Sequence, residues 1–255
     1  MQAILMAGGE GRRLRPITAK LPKPLVPIGE ISVLEMVLRQ LRWYGFDNVT
    51  LCVGHRAELV MTVVGDGRRF GLEIRYHVEE QPLGTIGALA RLEGLEDSFL
   101  VMNGDVCTDL DFRSLLEWHR SHGSPATVAA CARRERLELG VLELDPGRGR
   151  LVGFKEKPDY EFWAAMGVNA FNTDILDLIP RGRPFGFDEL MAAMLTRRVD
   201  VRVFTYGGFW LDIGRIDDYE RILDEFPRRR TSLLPDEAAR SRGRGHAGPQ
   251  PKGAV

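Results

Sequence analysis

Gln2-Ala3-Ile4-Leu5-Met6 runs without a break into Ala7-Gly8-Gly9-Glu10-Gly11-Arg12-Arg13-Leu14-Arg15-Pro16. The first five residues form a short apolar run that ends at glycine, which is the pattern of a buried strand. Glycines placed directly after a first strand let backbone N–H groups approach a phosphate without a Cβ in the way. No Gly-Lys-Ser/Thr follows, so the loop is not a P-loop. Leu14 stands where a dinucleotide-binding fingerprint needs its third glycine, so it is not that either. Taken alone, the loop reads equally well as a tight strand-to-loop turn.

Working outward, Val49–Val53 and Phe99–Met102 read as further buried strands. Between them Ser32–Gly45 reads as a helix. Ser32 and Glu35 make a capping box, Leu34, Val37, Leu38 and Leu41 fall on one face, and Gly45 can end it. Leu83–Leu92 and Phe112–His122 are also predicted as helices. This alternation predicts an α/β fold: a doubly wound, mostly parallel (Rossmann-like) sheet, with ligand sites at the C-terminal ends of its strands. The second half is mixed and reads as a smaller subregion. Thr127–Cys131, Val141–Leu144, Leu151–Lys155 and Val201–Tyr206 read as strands, and Phe187–Arg197 and Ile216–Phe226 as helices. There is no repeat of fixed period and no hexapeptide pattern.

The chain has 255 residues, enough for one large domain or two small ones, with an ordinary globular composition of 44% apolar and 28% charged residues. No apolar run reaches 18 residues, so no membrane span is expected. The N-terminus is apolar and then basic, the reverse of a signal peptide, and points to the cytoplasm. Cys52, Cys107 and Cys131 have neither zinc nor disulfide spacing. The net charge is −1. From Pro227 onward seven Arg or Lys face two acids, so residues 1–226 carry −6. The folded domain is therefore expected over 1–226, with 227–255 a basic, Gly/Pro/Arg-rich tail expected to be disordered.

Several charged side chains are candidates for chemistry. Arg12, Arg13, Arg15 and Lys20 precede Lys23-Pro24-Leu25-Val26-Pro27, where prolines stiffen the loop that carries Lys23. Residue by residue, a solvated surface charge is the plainer reading, but a phosphate chain needs donors already in place. Asp105 ends the apolar run Leu100–Met102, and Asp212 follows Phe209-Trp210-Leu211. Two carboxylates on separate strand ends suit Mg²⁺, although each could serve as a cap or turn residue. Asp111 and Asp188 read as helix caps. The five histidines share no ligand spacing, and His119 and His122 are expected at the surface.

Gly8-Gly9-Glu10-Gly11-x-Arg13-Leu14-x-Pro16 with Lys23-Pro24-Leu25-Val26-Pro27 resembles the signature of the sugar-phosphate nucleotidylyltransferases. These are the mannose- or heptose-1-phosphate guanylyltransferase kind, related to glucose-1-phosphate thymidylyltransferase. The resemblance continues through Gln81-Pro82-Leu83-Gly84-Thr85, Asn103-Gly104-Asp105, Phe154-x-Glu156-Lys157-Pro158 and Trp210-x-Asp212-Ile213-Gly214. It implies that Arg13 and Lys23 are catalytic and that Asp105 and Asp212 hold Mg²⁺. It implies nucleotide binding by Ala7, Gly8, Gly9, Gly11, Gln81, Gly84, Thr85, Asn103 and Gly104, with Gln81 and Gly84 reading the base. Sugar-side contacts fall to Glu138, Gly140, Glu156, Lys157 and Gly167. Many relatives carry Asn-Ala-Gly where this chain has Ala165-Met166-Gly167, which leaves the sugar open.

The implied reaction moves a nucleoside monophosphate from a nucleoside triphosphate to a sugar 1-phosphate and releases pyrophosphate. GTP with a mannose or heptose phosphate is favoured, with thymidylyl, uridylyl or cytidylyl transfer to a glucose-type or amino-sugar phosphate behind it. A non-catalytic nucleotide-sugar-binding subunit is the rival class, disfavoured by the intact Arg13, Lys23, Asp105 and Asp212. No membrane and no specific nucleic acid partner is expected, and homo-oligomerisation stays open.

Overall fold

The computed structural model describes residues 1–241. Thirteen strands run in chain order: β1 Gln2–Met6, β2 Pro27–Ile28, β3 Ile31–Ser32, β4 Asn48–Val53, β5 Glu73–Val78, β6 Ser98–Asn103, β7 Val106–Thr108, β8 Ala126–Arg136, β9 Gly140–Leu144, β10 Leu151–Glu156, β11 Asp159–Asn172, β12 Val201–Tyr206 and β13 Trp210–Asp212. The α-helices are α1 Val33–Trp43, α2 Ala57–Val64, α3 Phe112–His122, α4 Phe187–Thr196, α5 Ile216–Leu233 and α6 Pro235–Ser241.

Seven strands make the central sheet in the order β12-β8-β11-β6-β1-β4-β5. β1 pairs in parallel with β4 and β6, and β4 with β5, while β11 runs antiparallel to β6 and β8. The three parallel strands in the middle are buried along most of their length because helical segments cover both faces. One face packs Leu34, Leu38 and Leu41 of α1 with Phe112 and Leu116 of α3 and Ile222 and Phe226 of α5. The other packs Ile4, Phe99 and Val101 against Leu83, Ile86, Phe185 and Met194. β1 lies where the strand order turns outward both ways, the position at which such sheets open a crevice past their C-terminal ends. The doubly wound, mostly parallel sheet is as the sequence predicts.

Several local expectations hold. Ser32 accepts from the Glu35 N–H at 3.1 Å, and Asp111 from the Ser114 N–H at 3.0 Å. All three cysteines are free and buried. The helix predicted over Leu83–Leu92 is instead a loop with a short 3-10 turn at Gly87–Arg91. Its backbone is already committed elsewhere, because Phe185 donates to Leu83 O and Ile86 donates to Phe185 O. The helix starting at Ile216 does not stop at 226. It passes through Pro227 to Leu233, and α6 follows. Buried Phe226 and Leu233 bind both sides of the proline to the core. Arg230 pairs with Glu237 at 2.8 Å and Glu30 at 2.7 Å, and Arg39 pairs with Asp236 at 2.6 Å. The tail expected from 227 thus begins with helix, and residues 242–255 lie outside the described residues. Among the described residues no helix is long and apolar enough to cross a membrane.

His119 is buried, not at the surface. Its Nδ1 lies 2.8 Å from Thr127 Oγ1 and its Nε2 2.9 Å from Asn172 Oδ1. Burial lowers its proton affinity from the ordinary 6.5, against a smaller opposing effect of Asn172. A histidine held neutral by the fold binds its proton more readily in the unfolded chain, so its contribution is complete above the unfolded pKa and fades as the pH falls through it. The urea midpoint is expected to drop between about pH 7 and pH 5, with a shallower drop in His119→Gln. An equal drop in both proteins would exclude His119 as a source.

Candidate active site

A cleft of about 490 Å³ opens at the C-terminal ends of β1 and β6. Its floor follows from the sheet. The Ala7 N–H continues the ladder to Cys52 O at 2.8 Å, and the Gly104 N–H reaches Met6 O at 2.9 Å. The loop after β1 and the turn after β6 are thereby locked side by side. Ala7, Gly8, Gly9 and Gly11 line the cleft on one side, with Asn103, Gly104 and Asp105 on the other.

Asp212 reaches the same point from far along the chain. β13 pairs with β7 so that Asp212 lies opposite Val106, and the Ile213 N–H donates to Asp105 O at 3.2 Å. Burial first, and then the charge of Asp105, raises the Asp212 carboxyl above the usual carboxylate range, while Lys23 pulls the other way. Asp212 Oδ1 is buried and has no hydrogen-bond partner. Lys23 Nζ makes an ion pair with Asp105, and each side chain is about one-sixth exposed, at 16% and 15%. The neighbouring Cys107 thiol is pushed up by burial and is a packing residue.

The basic loop is held before any ligand arrives. Lys23 starts a 3-10 turn between Pro22 and Pro24, and buried Leu25 and Val26 anchor it. The Thr18 hydroxyl donates to Gly11 O at 2.7 Å, which ties the basic loop to the glycine loop. Arg56 donates to Lys20 O and Ala19 O, and Tyr219 to Pro27 O at 2.8 Å. Arg13 lines the cleft beside Gly214.

The loop after β5 closes the far side with Pro82, Gly84 and Thr85. Gly84 has a φ of +79°, and a Cβ there would lie 2.6 Å from Phe185 O, so only glycine fits. Thr85 Oγ1 accepts from the Phe187 N–H at 2.7 Å, which braces this loop on the start of α4. Gln81 is exposed and does not line the cleft. Glu79, which sequence reading passed over, does. Its carboxylate accepts from the Leu83 N–H at 3.0 Å and stands so near Gly8 that a Cβ on Gly8 would meet Oε1 at 2.8 Å. The only signal in the sequence was its place directly after a strand.

Glu138, Gly140, Glu156 and Lys157 lie outside this cleft, at the base of the β9–β10 hairpin. There Glu156 pairs in register with Gly140, and Lys157 makes a 2.8 Å ion pair with Glu138. Lys157 has a φ of +43°, a conformation that a lysine seldom takes unless its surroundings impose it. Gly167 lies instead against Asn103 at the cleft. It has a φ of +68° and lies so close to Asn103 that a Cβ would come within 2.8 Å of its Nδ2.

Among the described residues, no group of three or more His, Cys, Asp or Glu gathers to hold a metal. Two carboxylates, one with an orphaned buried oxygen, fit the way Mg²⁺ is bound, by few protein ligands with the rest from phosphate and water.

Residues 2–228 match the Nucleotidyl transferase family model. The chain is 31% identical to the UTP–glucose-1-phosphate uridylyltransferase of Synechocystis, over 86% of this chain and 61% of that protein. It is also 31% identical to the mannose-1-phosphate guanylyltransferase of Mycobacterium tuberculosis, over 98% of this chain and 69% of that one. The chain thus spans 61% and 69% of the length of these two curated relatives. A crystal structure of a putative glucose-1-phosphate thymidylyltransferase from Bacillus anthracis, in complex with a sucrose, superposes with a TM-score of 0.70 at 23% identity. The superposition covers 88% of this chain and 94% of that one, and the likeness is one of fold.

The crowding of Asp105 and Asp212 has a measurable cost. Asp212→Asn is expected to raise the thermal midpoint of the metal-free protein by roughly 2 °C or more. A midpoint that is unchanged or lower would contradict the strained charge.

Proposed function

The chain belongs to the nucleotidyl transferase family, and on that premise we propose that it transfers a nucleoside monophosphate from a nucleoside triphosphate to a sugar 1-phosphate, releasing pyrophosphate. The favoured pair is GTP with a mannose- or heptose-type phosphate. The observation that carries this reading is Lys23 against two crowded carboxylates, one with a buried unpartnered oxygen, in the same cleft as the glycine loop.

The chemistry is one in-line displacement. A phosphate oxygen of the sugar 1-phosphate forms a bond to the α-phosphorus as the bond from that phosphorus to the α,β-bridging oxygen breaks. The attacking oxygen is already anionic, so no general base is needed, and catalysis consists of alignment and charge neutralisation. Lys23 places its ammonium at the α-phosphate, and Arg13 meets the departing pyrophosphate. Backbone groups of Ala7, Gly8, Gly9 and Gly11 face the triphosphate, with Asn103 and Gly104 closing over it. Asp105 and Asp212 would hold Mg²⁺, which when bound supplies positive charge to the phosphates. That role also explains why the fold tolerates a buried carboxylate oxygen without a hydrogen-bond partner.

The base enters between the glycine loop and Gly84-Thr85. A carboxylate accepts hydrogen bonds and cannot donate them. The Glu79 carboxylate therefore suits a base with an imino N–H, as guanine, uracil and thymine have and adenine and cytosine lack. Guanine adds a second donor in its amino group, which favours GTP. The sugar phosphate is assigned to Glu156, Lys157, Glu138, Gly140 and Gly167. The ion pair of Lys157 with Glu138 would open as Lys157 turns to the incoming phosphate.

The test is pyrophosphate release from the four ribonucleoside triphosphates and dTTP against mannose, heptose, glucose and amino-sugar 1-phosphates, with and without Mg²⁺. Release is expected to need both a sugar phosphate and the metal, and to be fastest with GTP. Lys23→Ala is expected to lose ~10²–10³-fold in kcat. Glu79→Ala is expected to narrow the preference for GTP, UTP and dTTP over ATP and CTP. A folded protein silent over the whole grid would instead support a nucleotide-sugar-binding subunit.

A further inference from the structure

Asp212 reaches the cleft on a very short ribbon. β7 and β13 pair over three residues only: Thr108 with Trp210, Cys107 with Leu211 and Val106 with Asp212. A two-stranded ribbon is marginal by itself, and few bonds hold the register of a short one. That register nonetheless decides the site. A slip of one residue would turn Asp212 to the other face of the ribbon and lift Leu211, 3% exposed, out of the core. The approach to the ribbon gives no help. Gly207-Gly208-Phe209 alone joins the end of β12 to the start of β13, and a pair of glycines accepts many backbone courses.

The two ends of the ribbon differ. At the cleft end the Ile213 N–H donates to Asp105 O at 3.2 Å, but the charge of Asp105 opposes that of Asp212. This end is pushed apart. The far end is densely bonded. The Thr108 hydroxyl donates to Phe209 O at 2.7 Å, and Gln40 donates to Thr108 O at 2.8 Å. Asp109 Oδ1 accepts from the Phe209 N–H at 2.7 Å and from the Tyr206 hydroxyl at 2.6 Å. The Asp109 N–H in turn donates to Phe209 O at 3.3 Å. One carboxylate thus grips both sides of the crossing from β12 to β13. Gly208 passes beneath it: a Cβ there would come within 2.9 Å of Asp109 Oδ1 and collide with the Tyr206 phenol.

We propose that Asp109 is a positioning residue, which sets the register of β13 on β7 through Phe209 and Tyr206 and so holds Asp212 beside Asp105 against their repulsion. Asp109 does not line the cleft. It lies four residues past Asp105, about 13 Å along an extended chain. β13 has other anchors, the Trp210 indole N–H on Met166 O at 2.7 Å and Arg133 on Trp210 O at 3.1 Å. Both belong to strands other than β7, so they locate β13 in the fold, while Asp109 and Thr108 fix it against β7. Asp109 accepts two bonds through one oxygen, so an amide oxygen can replace it and a methyl group cannot. Its role toward the cation rests on the function proposed above, whereas the register does not depend on it.

The test compares Asp109→Ala, which loses both accepted bonds, with Asp109→Asn, which keeps an oxygen to accept them. The first arm is a double-mutant cycle on the metal-free full chain, with the thermal midpoint of each background read with and without Asp212→Asn. The gain from Asp212→Asn is expected to persist in Asp109→Asn and to fall below about half in Asp109→Ala, because a slackened ribbon lets the two carboxylates part. An equal gain in all three backgrounds, or none in the native one, would overturn the proposal. If Asp109→Ala does not fold, Tyr206→Phe, which removes one of the two bonds, takes its place with a smaller loss of the gain. The second arm is the Mg²⁺ concentration for half-maximal pyrophosphate release. It is expected to rise about tenfold or more in Asp109→Ala and to stay within about twofold of native in Asp109→Asn. An unchanged Mg²⁺ requirement in folded Asp109→Ala would overturn the proposal as well. A native enzyme indifferent to Mg²⁺ would instead remove the reading of the cleft, and the metal-free cycle would still decide the register.

Discussion

Two carboxylates and one ammonium share a desolvated corner of this protein, and the surrounding structure serves to keep them there. Asp105 and Asp212 repel one another, and burial penalises the charge on Asp212. Lys23 relieves part of that penalty through its pair with Asp105, but leaves an oxygen of Asp212 without a partner. A fold selected for stability alone would place an amide or an apolar residue at position 212. Retaining the charge makes sense where a cation and a phosphate chain complete the balance.

Each member of the cluster is held by a different part of the chain. Asp105 is fixed by the register of β6 on β1, Asp212 by the pairing of β13 with β7, and Lys23 by prolines and by bonds from Thr18, Arg56 and Tyr219. The C-terminal helices reinforce that arrangement. α5 supplies Tyr219, and Arg39 and Arg230 clamp α6 onto α1 and α5. The cleft is thereby formed in advance, and neutralising groups set in advance are what a displacement at phosphorus needs.

The central fold was legible because β1, β4 and β6 are short apolar runs closed by glycine or asparagine, and α1 and α3 carry caps and stripes that few other structures satisfy. The cluster was legible because Lys23, Asp105 and Asp212 each sit in a punctuated motif. The remainder was set by tertiary contacts that leave little local trace. Leu83–Leu92 has helical spacing, but Phe185 takes its backbone bonds. Pro227 reads as a stop, yet the apolar contacts of Phe226 and Leu233 carry the helix through it. Glu79 follows a strand like many surface acids, and only the approach of Gly8 places it in the cleft. β11 reaches 14 residues because β8 pairs with it from Asp159 and β6 from Val168, a length that its mixed polar and aromatic sequence does not announce.

The measurement that bears most directly on the account is calorimetric binding of GTP to the native protein and to Asp105→Asn, each with and without Mg²⁺. If the two carboxylates hold the cation that the triphosphate shares, Mg²⁺ will tighten nucleotide binding to the native protein by tenfold or more. The variant, melting as one cooperative unit, will lose that gain. Equal Mg²⁺ dependence in both proteins, or none in the native one, would contradict the placement of the metal and with it the reading of the cleft.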